Sequence, residues 1–316
     1  MALSASPTLS TSRARTVSLA LLAAQLCAAC AAGGSENGET SVTQSGRPGE
    51  GNSTTAPGQT PGGGGTLTPE DGPMFNPDDL VETNECDGKL PVVYRDFSDA
   101  HPDFEMDFRG DVVRRQLVQK DLGPDGKPVF ASRVGCPAQQ GSPTECANWN
   151  VEEPVIASAE SFNQWYRDTP NVNVAFEQTL ELIETPPASG FYKYSSTEFF
   201  PIGNADGFGI TPAGQGRNFL FTTEVHVTFQ YVAGSRFRFR GDDDMWIFVN
   251  KRLALDLGSM HGVEEGEINF DAQAADLGIA PGRAYPMDIF HAERHTSASN
   301  FSIETNIACF TAIVPR

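Results

Sequence analysis

Basic side chains are in short supply in this 316-residue sequence: 22 Lys and Arg stand against 41 Asp and Glu, a formal net charge of −19. So acidic a surface repels phosphate backbones and excludes nucleic acid as a partner, while favouring cations and solubility. Catalytic fingerprints are missing as well. There is no G-x-S-x-G elbow, no P-loop and no dinucleotide-binding glycine pattern, so the corresponding acyl-transfer, nucleotide-hydrolysis and hydride-transfer chemistries have no motif to rest on. No internal repeat is present, which excludes a solenoid. Outside the first thirty residues there is no C-x-x-C pair to suggest a structural zinc site.

Long apolar runs are also lacking. The run VSLALLAAQLCAACAA is too short to span a bilayer comfortably. Arg13 and Arg15 precede it and small residues end it, which is the pattern of a secretory signal peptide over residues 1–30. Export follows. Cys30 sits where a bacterial lipobox places its lipid-bearing cysteine, although Cys27 stands in the place of the usual leucine. A lipid anchor at Cys30 and simple cleavage near Ala29 to Ala32 both fit. Residues 31–73 are rich in Gly, Ser, Thr, Pro and Glu and have almost nothing to bury. They read as a disordered tether reaching roughly 35 to 40 Å, with one domain over residues 74–316. Four cysteines remain, and an even number in an exported chain argues for disulfides. The pairings favoured are Cys136 with Cys146, closing a surface loop, and Cys86 with Cys309, tying the domain ends together.

Strand-like runs dominate from residue 90: Val92 to Tyr94, Val172 to Phe176, Leu180 to Ile183, Phe219 to Phe221 and Val225 to Tyr231. Gly and Pro punctuate them at short intervals, as in an all-β antiparallel sandwich or barrel. One short helix is expected after Ser158, with Glu160 in its first turn, Phe162, Trp165 and Tyr166 on one core-facing side, and Pro170 beyond its end.

The stretch RFRFRGDDDMWIFVNKRLALDLGSMHGVEEGEINFD (236–271) organises the rest. Phe237 and Phe239 alternate with Arg236, Arg238 and Arg240, the signature of a strand with one face in water. Trp246 and Phe248 point opposite to Ile247 and Val249, so the next strand is covered on both faces. Asn250-Lys251 reads as a tight hairpin turn, and Leu253, Leu255 and Leu257 form the return strand. Between the first two strands lie Asp242, Asp243 and Asp244. Three adjacent carboxylates repel one another and call for a counter-charge, from the flanking arginines or from a hard cation. Oxygen ligands suit calcium better than zinc, and a solvated acidic turn fits equally well.

The run GDDDMWIFVN…LALDLGSMHGVEEGEINFD closely resembles the core signature of the fibro-slime domain, a branch of the fold first seen in the anthrax protective antigen. Blocks at 92–105, 125–130, 162–173, 191–202, 218–231 and 288–305 also resemble the family, in family order, so the likeness extends over residues 90 to 308. It implies an extracellular β-sandwich or barrel. In carbohydrate-binding relatives of this fold an adjacent Asp pair, often joined by a cis peptide, chelates calcium that in turn binds sugar hydroxyls. The matching positions are Asp242 and Asp243, with Asp244 where many relatives carry Gly. The resemblance therefore implies a calcium-dependent carbohydrate-binding or adhesion module of the cell surface or matrix, with a glycan or matrix polysaccharide as partner. Asn250, Asp256 and His261 are candidate helpers; their ordinary roles would be turn residue, strand-end cap and packing histidine. A matrix or appendage component that binds a surface protein remains an alternative. Enzyme readings rest on less: the abundance of carboxylates invites a glycoside hydrolase, and His291, Glu293 and His295 would share one face of a strand and could ligate zinc.

Overall fold

The computed structural model describes residues 88–106, 112–138 and 153–313. The signal segment with Cys30, the 31–73 tether, Cys86 and Cys146 lie outside them, and with those cysteines both expected pairings. In chain order the elements are β1 (Lys89–Phe97), β2 (Arg114–Arg115), β3 (Cys136–Pro137), α1 (Ala159–Phe162), β4 (Asn173–Glu181), β5 (Ile183–Glu184), β6 (Tyr192–Ser196) and β7 (Phe221–Gln230). They continue as β8 (Arg236–Gly241), β9 (Asp244–Val249), β10 (Arg252–Leu257), β11 (Glu264–Asn269), α2 (Phe270–Leu277), β12 (Ala284–Glu293), β13 (Phe301–Thr305) and β14 (Phe310–Ala312).

Alternation decides how these strands layer. A seven-stranded antiparallel sheet runs β10-β9-β12-β7-β1-β4 with β14 also on β7, and a five-stranded sheet runs β11-β8-β13-β6-β5. Along β8 the phenylalanines are buried and the arginines exposed. Phe237 and Phe239 meet Tyr94, Phe221, Met245, Ile247 and Ile289 of the larger sheet in the core between the two. The architecture is thus an open sandwich with β10 and β4 at the edges of one sheet and β11 and β5 at those of the other. The barrel alternative is not what forms.

Every residue of β9 is buried because its sheet is covered on both faces. Trp246 and Phe248 face a second core made with Phe290, Phe104, Phe162, Trp165 and Leu117. The cover includes α1, whose cap is Ser158: its Oγ accepts from Ser161 N at 3.0 Å. This helix is shorter than the sequence suggests. The Asn173 side chain takes the carbonyls of Gln164 and Arg167, both at 2.9 Å, which occupies acceptors a longer helix would use. Trp165 and Tyr166 still reach the core, from turns. Leu180 and Val172 to Phe176, which read as two strands, belong mostly to the single β4. Among the described residues no helix is long and apolar enough to cross a membrane.

The β9–β10 hairpin forms at Asn250-Lys251, with positive φ at both residues (51° and 65°) as a two-residue turn of this hand requires. The helix α2 was not expected from sequence. Its signals are Asn269, whose Oδ1 accepts from Ala272 N at 3.1 Å, and Gly278 at φ 65°, a cap at each end of eight residues.

A long connection, residues 197–220, leads from β6 to β7 and is pinned by a buried carboxylate. Asp96, at the end of β1, accepts from Phe208 N at 2.5 Å and from Asn218 Nδ2 at 2.8 Å. Gly207 has φ +57°, and a Cβ there would fall on the Asp96 carboxylate. Gly207→Ala is therefore expected to lower stability by roughly 1 to 3 kcal/mol, read as a fall in urea midpoint. An unchanged midpoint would show that Asp96 does not fix this loop.

Candidate functional site

Chain direction brings the acidic turn to one mouth of the sandwich. β8 ends at Gly241 in the smaller sheet and β9 begins at Asp244 in the larger, so residues 242 and 243 cross from sheet to sheet. The Asp242–Asp243 peptide is cis. All three aspartates are buried, and each carboxylate has its own partners.

Asp242 accepts from Asn300 N at 2.5 Å and from Asn300 Nδ2 at 2.8 Å, while its carbonyl accepts from His291 Nε2 at 2.8 Å. Asp243 accepts from the backbone N–H groups of His261 (3.2 Å), Arg294 (3.1 Å) and His295 (3.1 Å). Asp244 differs in kind. It accepts from Ser259 N at 2.5 Å and forms a fully buried ion pair with Arg294 Nε at 2.6 Å. Arg294 also donates through Nη1 to the carbonyls of Asp103 and Val155 and lies over the Trp165 ring at 4.7 Å. The expected trio of Asp242, Asp243 and Asp244 is thus divided. Asp244 faces the arginine, and the other two line a cleft of about 370 Å³ with His261, His295, Thr296 and Ser297.

The electrostatics follow from that division. Burial, reinforced by the Asp244 charge, pushes the Asp243 carboxyl up to about 6, and burial also raises Asp242. Among the described residues their hydrogen-bond donors are neutral N–H groups, and the Arg294 charge only partly offsets what burial does to Asp243. Behind them Glu293 is fully buried. Burial, then the charges of Asp243 and Asp242, hold its carboxyl well above the usual range.

Of the candidate helpers, only His261 reaches the cleft, through its N–H to Asp243 and its place in the wall. Asn250 lies at the opposite end of β9, where its Nδ2 donates to Leu277 O (3.0 Å) and Gly278 O (3.3 Å) at the end of α2. Asp256 is a tie within the fold: it accepts from Trp246 Nε1 at 3.0 Å and Gln116 N at 2.9 Å. The zinc reading of His291, Glu293 and His295 also gives way. Both His291 nitrogens are engaged, with Thr223 Oγ1 at 3.1 Å and the Asp242 carbonyl, and burial lowers its pKa to about 4. Among the described residues no group of three or more His, Cys, Asp or Glu is placed to hold a metal ion. Sequence reading missed Arg294, inside the HAERH segment, and Thr296, Ser297 and Asn300, which follow it.

Comparison with known proteins gives relatives by sequence. The chain is 33% identical over 229 residues to protein psiR of Dictyostelium discoideum, covering 69% of this chain and 21% of psiR. Against psiD of the same organism the identity is 33% over 237 residues, 73% of this chain and 42% of psiD. Its relatives are psi proteins. The chain spans about a fifth to two fifths of the length of these relatives. No protein-family model matches it, so the fibro-slime likeness rests on the motifs alone. Among solved structures, the PA14 sugar-binding domain from an RTX adhesin aligns with 31% of this chain and 52% of its own at 15% identity and a TM-score of 0.21. A carbohydrate-binding module of the β-sandwich superfamily aligns with 44% of this chain and 68% of its own at 11% identity and a TM-score of 0.18.

Proposed function

We infer that this chain is an exported carbohydrate-binding or adhesion module whose ligand is held through calcium at Asp242 and Asp243. The observation that carries this reading is the contrast within the acidic turn. Among the described residues Asp244 pairs with the Arg294 guanidinium, whereas Asp242 and Asp243 face a cleft and accept from N–H groups of Asn300, His261, Arg294 and His295. A hard, oxygen-rich donor pair that faces a cleft and is held by backbone and amide N–H groups fits calcium, which accepts six to eight oxygens in flexible geometry. Two carboxylates leave most of those positions to water and to ligand hydroxyls, the chemistry expected of sugar recognition. Thr296 and Ser297 supply further hydroxyl groups in the cleft wall. The likeness to the fibro-slime branch supports the same reading at the same two residues. No catalytic step belongs to it. Export by the N-terminal segment, an anchor at Cys30 and the Cys136–Cys146 and Cys86–Cys309 pairings complete the proposal.

Calorimetric titration of the full chain with calcium tests it. One-site binding is expected in the native chain and none in the Asp242→Asn/Asp243→Asn variant. Saturating calcium should raise the native melting temperature by roughly 5 to 10 °C and leave the variant unmoved. A native chain that takes up no calcium makes the turn purely structural and points to a protein partner instead. Given calcium binding, a glycan array with and without chelator reads the sugar half of the inference.

A further inference from the structure

Strand register places a second feature at the same mouth. Ala292 of β12 pairs with Asp244 of β9 and with Thr222 of β7. One residue on, Glu293 pairs with Phe221 of β7, and Phe221 pairs with Asp96 of β1. The acidic turn and Asp96 therefore stand at one level of the sheet, three strands apart, which is about 14 Å at ordinary strand spacing. Asp96 is the residue that holds Phe208 N. Continuous structure joins the two ends. The segment after His295 reaches Ser299, which exchanges hydrogen bonds with Phe199 at 3.0 and 2.8 Å, and Arg217 lies over the Phe200 ring at 5.2 Å.

The loop bearing Phe208 is built, not slack. Besides the Asp96 anchor, Asn204 Nδ2 donates to Gly216 O at 2.7 Å, and Thr211 N donates to Arg217 O at 3.0 Å. Phe219 N donates to Thr211 Oγ1 at 3.0 Å. Within this braced loop Phe208 remains 43% exposed and Ile210 51% exposed. The buried Asp96 carboxylate thus serves two neighbours: Asn218, beside the core residues Phe219 and Leu220, and Phe208, whose aromatic side chain stays partly in water.

We propose that Phe208 is an aromatic platform for a distal ring of the same glycan, making the mouth an elongated site with the cation cleft at one end and this ring at the other. The proposal rests on the carbohydrate reading above. The polar cleft supplies direction to hydroxyls, and the phenylalanine supplies a flat apolar surface of the kind that lines ligand sites and packs against the C–H face of a pyranose. Asp96, which holds the Phe208 backbone, stands about 14 Å from the turn, farther than one sugar ring spans, so the prediction concerns chain length.

An array of neutral oligosaccharides graded from mono- to hexasaccharide, in calcium, tests it on the full-length chain. Affinity should rise with length in the native protein. Phe208→Ala and Phe208→Leu should lose that rise, on the order of tenfold at the longest chains, while monosaccharide binding and calcium uptake stay native. Phe208→Tyr, which keeps the ring, should retain the rise. If Phe208→Ala matches the native protein at every length, the platform is wrong and the cation cleft stands. If Phe208→Leu matches it, the contact is merely apolar and the platform is equally wrong. A native chain that takes calcium but retains no sugar overturns both the platform and the carbohydrate reading.

Discussion

Replacing Arg294 with alanine is expected to destabilise the fold by on the order of 3 to 5 kcal/mol. The guanidinium and the Asp244 carboxylate are both wholly buried, 2.6 Å apart. Burial alone would pull the Arg294 pKa down, but Asp244 more than offsets it and holds the group charged. Truncation would strand the Asp244 charge beside Asp243, with Ser259 N its remaining donor among the described residues, and would free the carbonyls of Asp103 and Val155. It would also remove the cation from the Trp165 face, so the cover over the second core loosens together with the turn. Urea unfolding at neutral pH measures the loss. The companion variant Arg294→Met/Asp244→Leu removes both charges and should cost less than Arg294→Ala alone, because no buried charge is left unpaired. A single variant within about 1 kcal/mol of native would mean that Arg294 does not hold the turn.

The second large effect is a loss of stability in mild alkali, centred on His226. This residue on β7 lies between Asp288, at 2.6 Å from Nδ1, and Glu224, at 2.5 Å from Nε2. Glu224 is itself buried and also pairs with Arg95 (2.5 Å) and Lys127. Burial opposes the imidazolium, but the two carboxylates outweigh it and raise His226 to about 9. The folded pKa exceeds the unfolded value of 6.5, so the stabilisation is complete below about 6.5 and is lost as pH rises through about 9, an effect of roughly 2 to 3 kcal/mol. Glu224 runs the other way. Burial would raise it, yet His226, Arg95 and Lys127 hold it at about 2, so its contribution is present above about 4.5 and lost as pH falls toward 2. Stability should therefore peak between these limits. Chemical denaturation from pH 6 to about 9.5 should show the alkaline decline in the native chain, and His226→Gln should flatten it. A native curve that stays level over this range would show that His226 is not held charged.

Local pattern accounts for what could be read without coordinates. Period-2 alternation along RFRFR, the unbroken apolar run of β9 and the Asn-Lys turn are short-range consequences of side-chain direction and backbone sterics, and each appears where the sequence put it. The acidic turn was legible for the same reason, since three adjacent carboxylates are conspicuous in any fold. The length of α1 was not, because the carbonyls that end it are taken by Asn173.

By itself, then, the sequence determined that this is an acidic, antiparallel β protein centred on residues 236–271, with a charged turn in need of compensation. Tertiary structure alone decided how the charge is shared. It turned Asp244 to an arginine fifty residues downstream, left Asp242 and Asp243 in a cleft walled by Thr296 and Ser297, and sent Asn250 to the far end of its strand. The same register set Asp96, which holds the Phe208 backbone N–H, at the level of the turn. These outcomes depend on which strands pair and at what register, a long-range choice made by burying one face of each sheet, and no local window of sequence contains it.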